Sequence, residues 1–298
     1  MRVFGSGLRI CVFLSDVYAE NDLKGTTLQG SISVPTVLTI AGFDPSSGAG
    51  VTADLMVFAA HGLFGTSCIT ALTVQSTVGV RATEPVRAKL VRETLECLVS
   101  DLPPSGVKIG MLGTAEVVEV VADFLEELRE GERQVPVVLD PVVRSSSGKE
   151  LLDAFGVEAM RERLLPVVDW VTPNVEELAV LTGREVRRKE DVMAAVKVLA
   201  EMGGGVNVVA TGGHLIPPDD LVLVGNDAGW LEGEQIVSRS THGTGCAFSS
   251  ALLSRLVLGN EGMDAARHAK SYVAEAIRKA EAMGRGLGPV KHLWPLLE

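Results

Sequence analysis

The stretch "STHGTGC", residues 240–246, sets Gly243, Thr244 and Gly245 directly before Cys246, and an apolar run follows at once. Small residues at a helix start leave backbone N–H groups bare, and the positive end of the helix dipole favours an anion there. The same field lowers a thiol's pKa from about 8.5 toward neutrality, which would make Cys246 a thiolate base or a nucleophile. The plainer alternative is a small residue packed at a helix start. Asp140 in "LDPV" and Asn174 and Glu177 in "TPNVEEL" follow consecutive strand-like runs. Their oxygens suit magnesium, directly or through water. A helix N-cap at Asn174 and an exposed Glu177 are the structural alternative.

Further candidates follow other strand-like runs. Gln75 in "TVQST" carries an amide able to bind a heteroaromatic ring nitrogen and an exocyclic amine together. Thr211 in "ATGGH" can donate to a phosphate, and its glycines let backbone approach a ligand. Met111 in "KIGML" fits a core position or a pocket wall equally well. In "GFDPSSGAGVTAD" the fragment from Gly48 to Ala53 satisfies G-x-G-x-x-A, the dinucleotide fingerprint. It does not directly follow the strand, and no acidic residue ends the next one, so a tight substrate-facing loop with Asp54 at a helix start fits better. No Walker G-x-x-x-x-G-K-[ST] and no protein-kinase signature occurs, so phosphate chemistry here would use the helix mouth.

These residues need a scaffold, and the pattern supplies one. Strand-like runs at 36–42, 66–74, 106–112, 136–143, 168–174 and 206–213 alternate with helical runs at 51–62, 85–102, 114–131, 175–183 and 190–203. Thr114 reads as an N-cap. A hairpin over 220–225 and 229–238 and helices over 244–258 and 262–283 follow. Alternation of this kind predicts a single α/β domain with a doubly wound, mostly parallel sheet and helices on both faces. Ligands of such sheets bind beyond the carboxyl ends of the strands.

Composition narrows the classes. The chain has 298 residues, 46% hydrophobic, 22% charged and 4% aromatic, which suits a globular α/β protein. A net charge of −11 opposes nucleic acid and anionic membrane surfaces. Four cysteines with no C-x-x-C pair predict neither a zinc site nor a disulfide framework, and so a reducing cytoplasm. No apolar run reaches the ~18 residues of a membrane span. Residues 1–34 imitate a signal peptide but lack a cleavage site, and are expected to be a disordered extension or a start-codon artefact, with the domain over 35–298.

The segments "AGFDPSSGAGVTADL", "CITALTVQST", "KIGML", "LDPVVRSSSG", "TPNVEEL", "GGH", "THGTGC" and "GLGPVKH", in this order, resemble the hydroxymethylpyrimidine/phosphomethylpyrimidine kinases of the ribokinase-like superfamily, over about residues 36–292. The resemblance implies ATP- and magnesium-dependent phosphorylation of 4-amino-5-hydroxymethyl-2-methylpyrimidine and then of its monophosphate, in thiamine biosynthesis, by a homodimer. It implies that Cys246 receives or polarises the hydroxyl proton while the amides of Gly243, Thr244 and Gly245 hold the transferring phosphoryl group. It further implies that Asp54 and Gln75 hydrogen-bond the pyrimidine, with Gly42, Met111 and Val142 as walls. Glu177 with Asp140 would serve magnesium, and Asn174, Thr211 and Gly213 the nucleotide side. The chain departs from the family at Phe43, Thr52, Thr211 and Arg285. Thr211 replaces a lysine, which removes a phosphate-binding cation, and Arg144 is a candidate to replace its charge. The competing expectations are a pyridoxine/pyridoxal kinase, a Cys246-nucleophile acyl-transfer enzyme and a dinucleotide-binding regulator.

Overall fold

Val and Ile runs without a polar alternation are what a strand buried on both faces requires, and the sheet is built from them. The computed structural model describes residues 34–131, 134–145, 147–213 and 215–297. The expectation for the N-terminal extension therefore concerns residues that, except for Val34, lie outside the described ones. Strands β1 (Thr36–Phe43), β2 (Phe64–Ser76), β3 (Gly79–Pro85), β4 (Val107–Ile109), β5 (Val137–Leu139), β6 (Trp170–Val171), β7 (Asn207–Ala210), β8 (Asp220–Val224) and β9 (Asp227–Leu231) form one nine-stranded sheet in the order 3-2-1-4-5-6-7-8-9. Its centre, from β2 to β7, is parallel, and β3, β8 and β9 extend the edges antiparallel.

Side-chain alternation along the strands assigns the two faces. Leu38, Ile40, Val137, Leu139 and Val208 enter one core, beneath helices α2 (Ala88–Asp101), α3 (Ala115–Glu130), α4 (Ala154–Ala159), α5 (Val175–Thr182) and α6 (Lys189–Met202). Val37, Val138 and Val209 enter the other, beneath α1 (Gly50–Ala60), α7 (Thr244–Val257) and α8 (Gly262–Arg278). The doubly wound fold expected from the sequence is thus the fold observed. Thr114 caps α3 by accepting from the Val117 N–H at 3.3 Å, as expected.

Some elements differ from the sequence reading. Strand β3, "GVRATEP", stands where no strand is expected, because its polar, largely exposed residues pair with β2 at the sheet edge and need no apolar face. Helix α4 and the short π and 3-10 turns that follow it were also unforeseen. The second hairpin strand ends at Leu231, well short of residue 238. Since the central strands are parallel, Gln75, Met111, Asp140, Asn174 and Thr211 all fall at or just past carboxyl ends on one edge of the sheet.

Candidate active site

Two helices begin at this edge without side-chain caps, and their starts touch. Helix α7 starts behind Gly243, whose φ of 85° is left-handed. A Cβ on Gly243 would lie 1.8 Å from the carbonyl oxygen of Gly48, in the loop before α1. Gly50, with φ +62°, presses in the same way on the carbonyl oxygen of Gly42, at 2.2 Å. Gly48 lies flat beneath the ring of His242, where a Cβ would come within 2.2 Å of Cδ2. The glycines of the apparent dinucleotide fingerprint are therefore required by contact between two loops and β1, which accounts for their spacing without a dinucleotide. By contrast, α5 starts with Asn174 and Glu177 in a reciprocal capping box, both bonds 2.9 Å.

Beneath the first turn of α7 lies a buried polar layer. Asp54, on α1, is fully buried; it accepts from Thr39 Oγ1 at 2.6 Å, from Ser250 Oγ at 2.8 Å, and from Lys108 Nζ at 2.9 and 3.0 Å. The expectation that Asp54 hydrogen-bonds a ligand is corrected by this arrangement: both its oxygens are committed inside the protein. Its partner Lys108, on β4, is equally buried, and although burial opposes its charge, Asp54, Cys246 and Asp140 hold its pKa above the usual lysine range.

Asp140 sits past β5, with Oδ2 accepting from Ser249 Oγ at 3.2 Å and lying 3.7 Å from where a Cβ of Gly245 would stand. Burial raises its pKa, against the pull of Lys108. Glu177 is buried too, contrary to an exposed position, and burial, then the charge of Asp140, pushes its carboxyl up to about 8. Cys246 follows Gly245, half-buried, and its thiol is pushed up to about 12 by burial, which outweighs Lys108 and the backbone of Gly50. Burial thus works against the lowering expected from the helix dipole.

Around this layer stand the remaining candidates. Met111 is 9% exposed, and its Sδ would lie 2.9 Å from a Cβ on Gly42, so the wall and core roles merge. Val142 is half-buried, three residues past the end of β5. Thr211 bridges to Asn174 across the ends of β7 and β6, its N–H donating to Pro173 O at 2.9 Å. Gly213 lies two residues on, with open space where a side chain would be. Arg144 is exposed and bridges to Glu150, so the loop position suits a surface residue.

The sequence reading missed one constellation. His242 Nε2 lies 2.7 Å from Asp44 Oδ2 and 3.1 Å from the terminal amide of Gln75. Asp44 also accepts from Ser46 N, Ser46 Oγ and Ala49 N at 2.8, 2.7 and 3.0 Å. Burial opposes the charge of Asp44, but His242 and Ser46 hold its pKa below the ordinary value. A histidine with an orienting aspartate is present after all, yet its Nε2 faces Asp44 and Gln75 rather than Cys246. That arrangement gives no support to a cysteine acyl-transfer site. Among the described residues no helix is long and apolar enough to cross a membrane.

The family model described as phosphomethylpyrimidine kinase matches residues 44–291. A hydroxymethylpyrimidine/phosphomethylpyrimidine kinase of Haemophilus influenzae is 39% identical over 266 residues, 87% of this chain and 97% of the relative. A thiamine biosynthesis bifunctional protein of Geobacter sulfurreducens is 39% identical over 260 residues, and there the match spans 52% of the relative's length. Among solved structures, the pyridoxal kinase from Staphylococcus aureus in complex with pyridoxal has a TM-score of 0.78 at 31% identity, covering 88% of this chain and 94% of that one.

Proposed function

The chain belongs to the phosphomethylpyrimidine kinase family, and on that premise we propose that it transfers the γ-phosphoryl group of ATP to the primary hydroxyl of 4-amino-5-hydroxymethyl-2-methylpyrimidine, and then phosphorylates the monophosphate to the diphosphate for thiamine biosynthesis. The observation that carries the reading is the uncapped start of α7, bordered by Asp140 at Gly245 and facing the same sheet edge as Gln75. Phosphoryl transfer asks little covalent chemistry of a protein and mostly needs positioning and charge stabilisation. The first-turn N–H groups of α7 supply the latter, aimed at oxygens whose negative charge spreads in the transition state.

Asp140 and Glu177 are the residues that would hold magnesium. The donor set fits it: two buried carboxylates with raised pKa values, neither in an ion pair among the described residues, are oxygen ligands whose repulsion a divalent cation relieves. Bound there, the ion neutralises phosphate charge. Asn174 and Thr211, joined across two strand ends, form the nucleotide side with Gly213. Gln75 meets the ring edge, and Gly42, Met111 and Val142 meet its faces. Cys246, carrying its proton, serves as a hydrogen-bond partner that orients the attacking hydroxyl; as that oxygen bonds to phosphorus the bond from phosphorus to the ADP oxygen breaks, and the hydroxyl proton passes to an oxygen of the transferred phosphoryl group.

The likeness to a pyridoxal kinase supports a second reading, vitamin B6 salvage. Steady-state phosphorylation with Mg-ATP, comparing the pyrimidine, its monophosphate and pyridoxal, separates the two. Turnover of both pyrimidines is expected. Turnover of the alcohol alone would trace a missing second step to Thr211, where the family has a lysine. Preference for pyridoxal would move the assignment to B6 salvage, and no ATP-dependent product would overturn the kinase reading.

A further inference from the structure

His242 touches none of the groups assigned to phosphoryl transfer, yet it is held tightly. Its N–H donates to Gly288 O at 3.0 Å, its carbonyl accepts from Val290 N at 3.2 Å, and its ring lies on Gly48 with the side chain 13% exposed. The 2.7 Å contact to Asp44 needs one proton, and Asp44 already accepts three other hydrogen bonds as a carboxylate. The proton is therefore on Nε2, in either charge state of the imidazole.

That proton dictates the orientation of Gln75. With the amide nitrogen of Gln75 at 3.1 Å, two donors would face each other. Turning the amide over puts its carbonyl oxygen toward His242 and its NH2 toward Thr73 Oγ1, which lies 3.2 Å from the other end of the amide. Thr73 Oγ1 can accept, because its own proton goes to Phe43 O at 3.0 Å. In this orientation the one Nε2–H is shared between Asp44 Oδ2 and the Gln75 carbonyl, Thr73 keeps its proton for Phe43 O, and no two donors meet; amide orientation is always assigned from such a network.

We propose that the Asp44–His242 pair is a positioning device that locks the donor–acceptor polarity of the Gln75 amide, and so selects rings carrying an exocyclic amine donor beside a ring-nitrogen acceptor. The inference rests on the pyrimidine reading above and deepens it. One free N–H and one carbonyl lone pair remain on Gln75, in fixed order. An aminopyrimidine edge pairs with them in one way. The 4-oxo analogue, in its N–H tautomer, offers the reverse order and sets donor on donor and acceptor on acceptor. A freely turning glutamine would accept either ring.

The test is the ratio of kcat/KM for the 4-amino and 4-oxo hydroxymethylpyrimidines. His242→Phe keeps a ring on Gly48 but removes the N–H, and should lower the ratio at least about tenfold, because a buried amide that loses its partner no longer has a fixed orientation. In a Gln75→Ala background the same substitution should change the ratio less than about twofold, because coupled residues are not additive. Asp44→Asn, which removes the charge that keeps the proton on Nε2, should shift the ratio in the same direction with the imidazole still in place. An unchanged ratio in folded His242→Phe, or an equal fall without Gln75, would overturn the inference. Nitrogen-15 spectra of the wild-type imidazole, taken without substrate, provide a readout independent of activity. A proton on Nε2 is expected, and a bare Nε2 sinks the lock. A wild type inactive on both rings while Nε2 is protonated would count against the pyrimidine reading instead.

Discussion

Two sets of buried acidic groups are treated in opposite ways by this fold. Asp54 has its cation built into the chain: Lys108 meets both carboxylate oxygens, and neither side chain is exposed. Among the described residues Asp140 and Glu177 are in no ion pair; burial raises the pKa of each, with the charge of Asp54 adding to it at Asp140 and that of Asp140 at Glu177. A chain that places a lysine against one buried carboxylate and leaves two others without one is separating structure from function. The first pair holds β1, β4, α1 and α7 together through Thr39 and Ser250. The second is an electrostatic demand that a ligand must satisfy.

Breaking the first region should give the largest effect. Lys108→Met leaves Asp54 buried without its counter-charge, and removing one partner of a buried pair costs about 3–5 kcal/mol. Denaturant unfolding should show that loss. The double variant Lys108→Met with Asp54→Leu should recover part of it, since apolar residues of similar volume can replace a buried pair at little cost. Equal stability of Lys108→Met and wild type would mean that the pair is not the anchor described.

The second region is probed by pH. The ordinary glutamate value is 4.5 and that of Glu177 in the fold is about 8, so the folded state holds the proton that the unfolded chain releases. A raised acid pKa costs nothing below the unfolded value; its penalty grows as pH rises from the unfolded value to the folded one and then levels off. Without magnesium, the Tm of the wild type should therefore rise relative to that of Glu177→Gln as pH falls from about 8 toward 5. Adding magnesium at the upper end should raise the wild-type Tm and leave the variant nearly unmoved, because a ligand stabilises only the state that binds it. Turnover of Glu177→Gln should fall about 10²–10³-fold, the range for losing one electrostatic stabiliser. A wild type and variant with parallel pH profiles would remove Glu177 from the demand.

The contrast between the regions also marks what a sequence can disclose. The strands were legible because Val and Ile runs such as "TVLTI" and "PVVL" state burial on both faces, and the carboxyl edge then placed Gln75, Asp140 and Thr211. The role of Asp54 was not legible, since its partner stands 54 residues away on another strand. One signal was available: a lysine inside the apolar run "GVKIGML" needs a buried anion. Asp44 and His242 are 198 residues apart, and only the packing of one glycine loop on another joins them. Strand β3 escaped because edge pairing by backbone leaves little trace in side chains.

Cys246 feels both regions, and so offers the finest test of the comparison. Lys108 favours its thiolate, Asp54 and Asp140 oppose it, and burial outweighs all three. Alkylation needs the thiolate, so iodoacetamide should modify Cys246 at neutral pH at least roughly tenfold more slowly than the exposed Cys97, each followed by peptide mass. Magnesium held by Asp140 and Glu177 would cancel the opposition of Asp140 while leaving the Asp54–Lys108 pair as it was. The rate at Cys246 should then rise a few-fold with magnesium, that at Cys97 should stay constant, and Glu177→Gln should weaken the response. A magnesium response of equal size in Glu177→Gln would mean that the ion acts elsewhere, and the two acidic regions would lose their distinction.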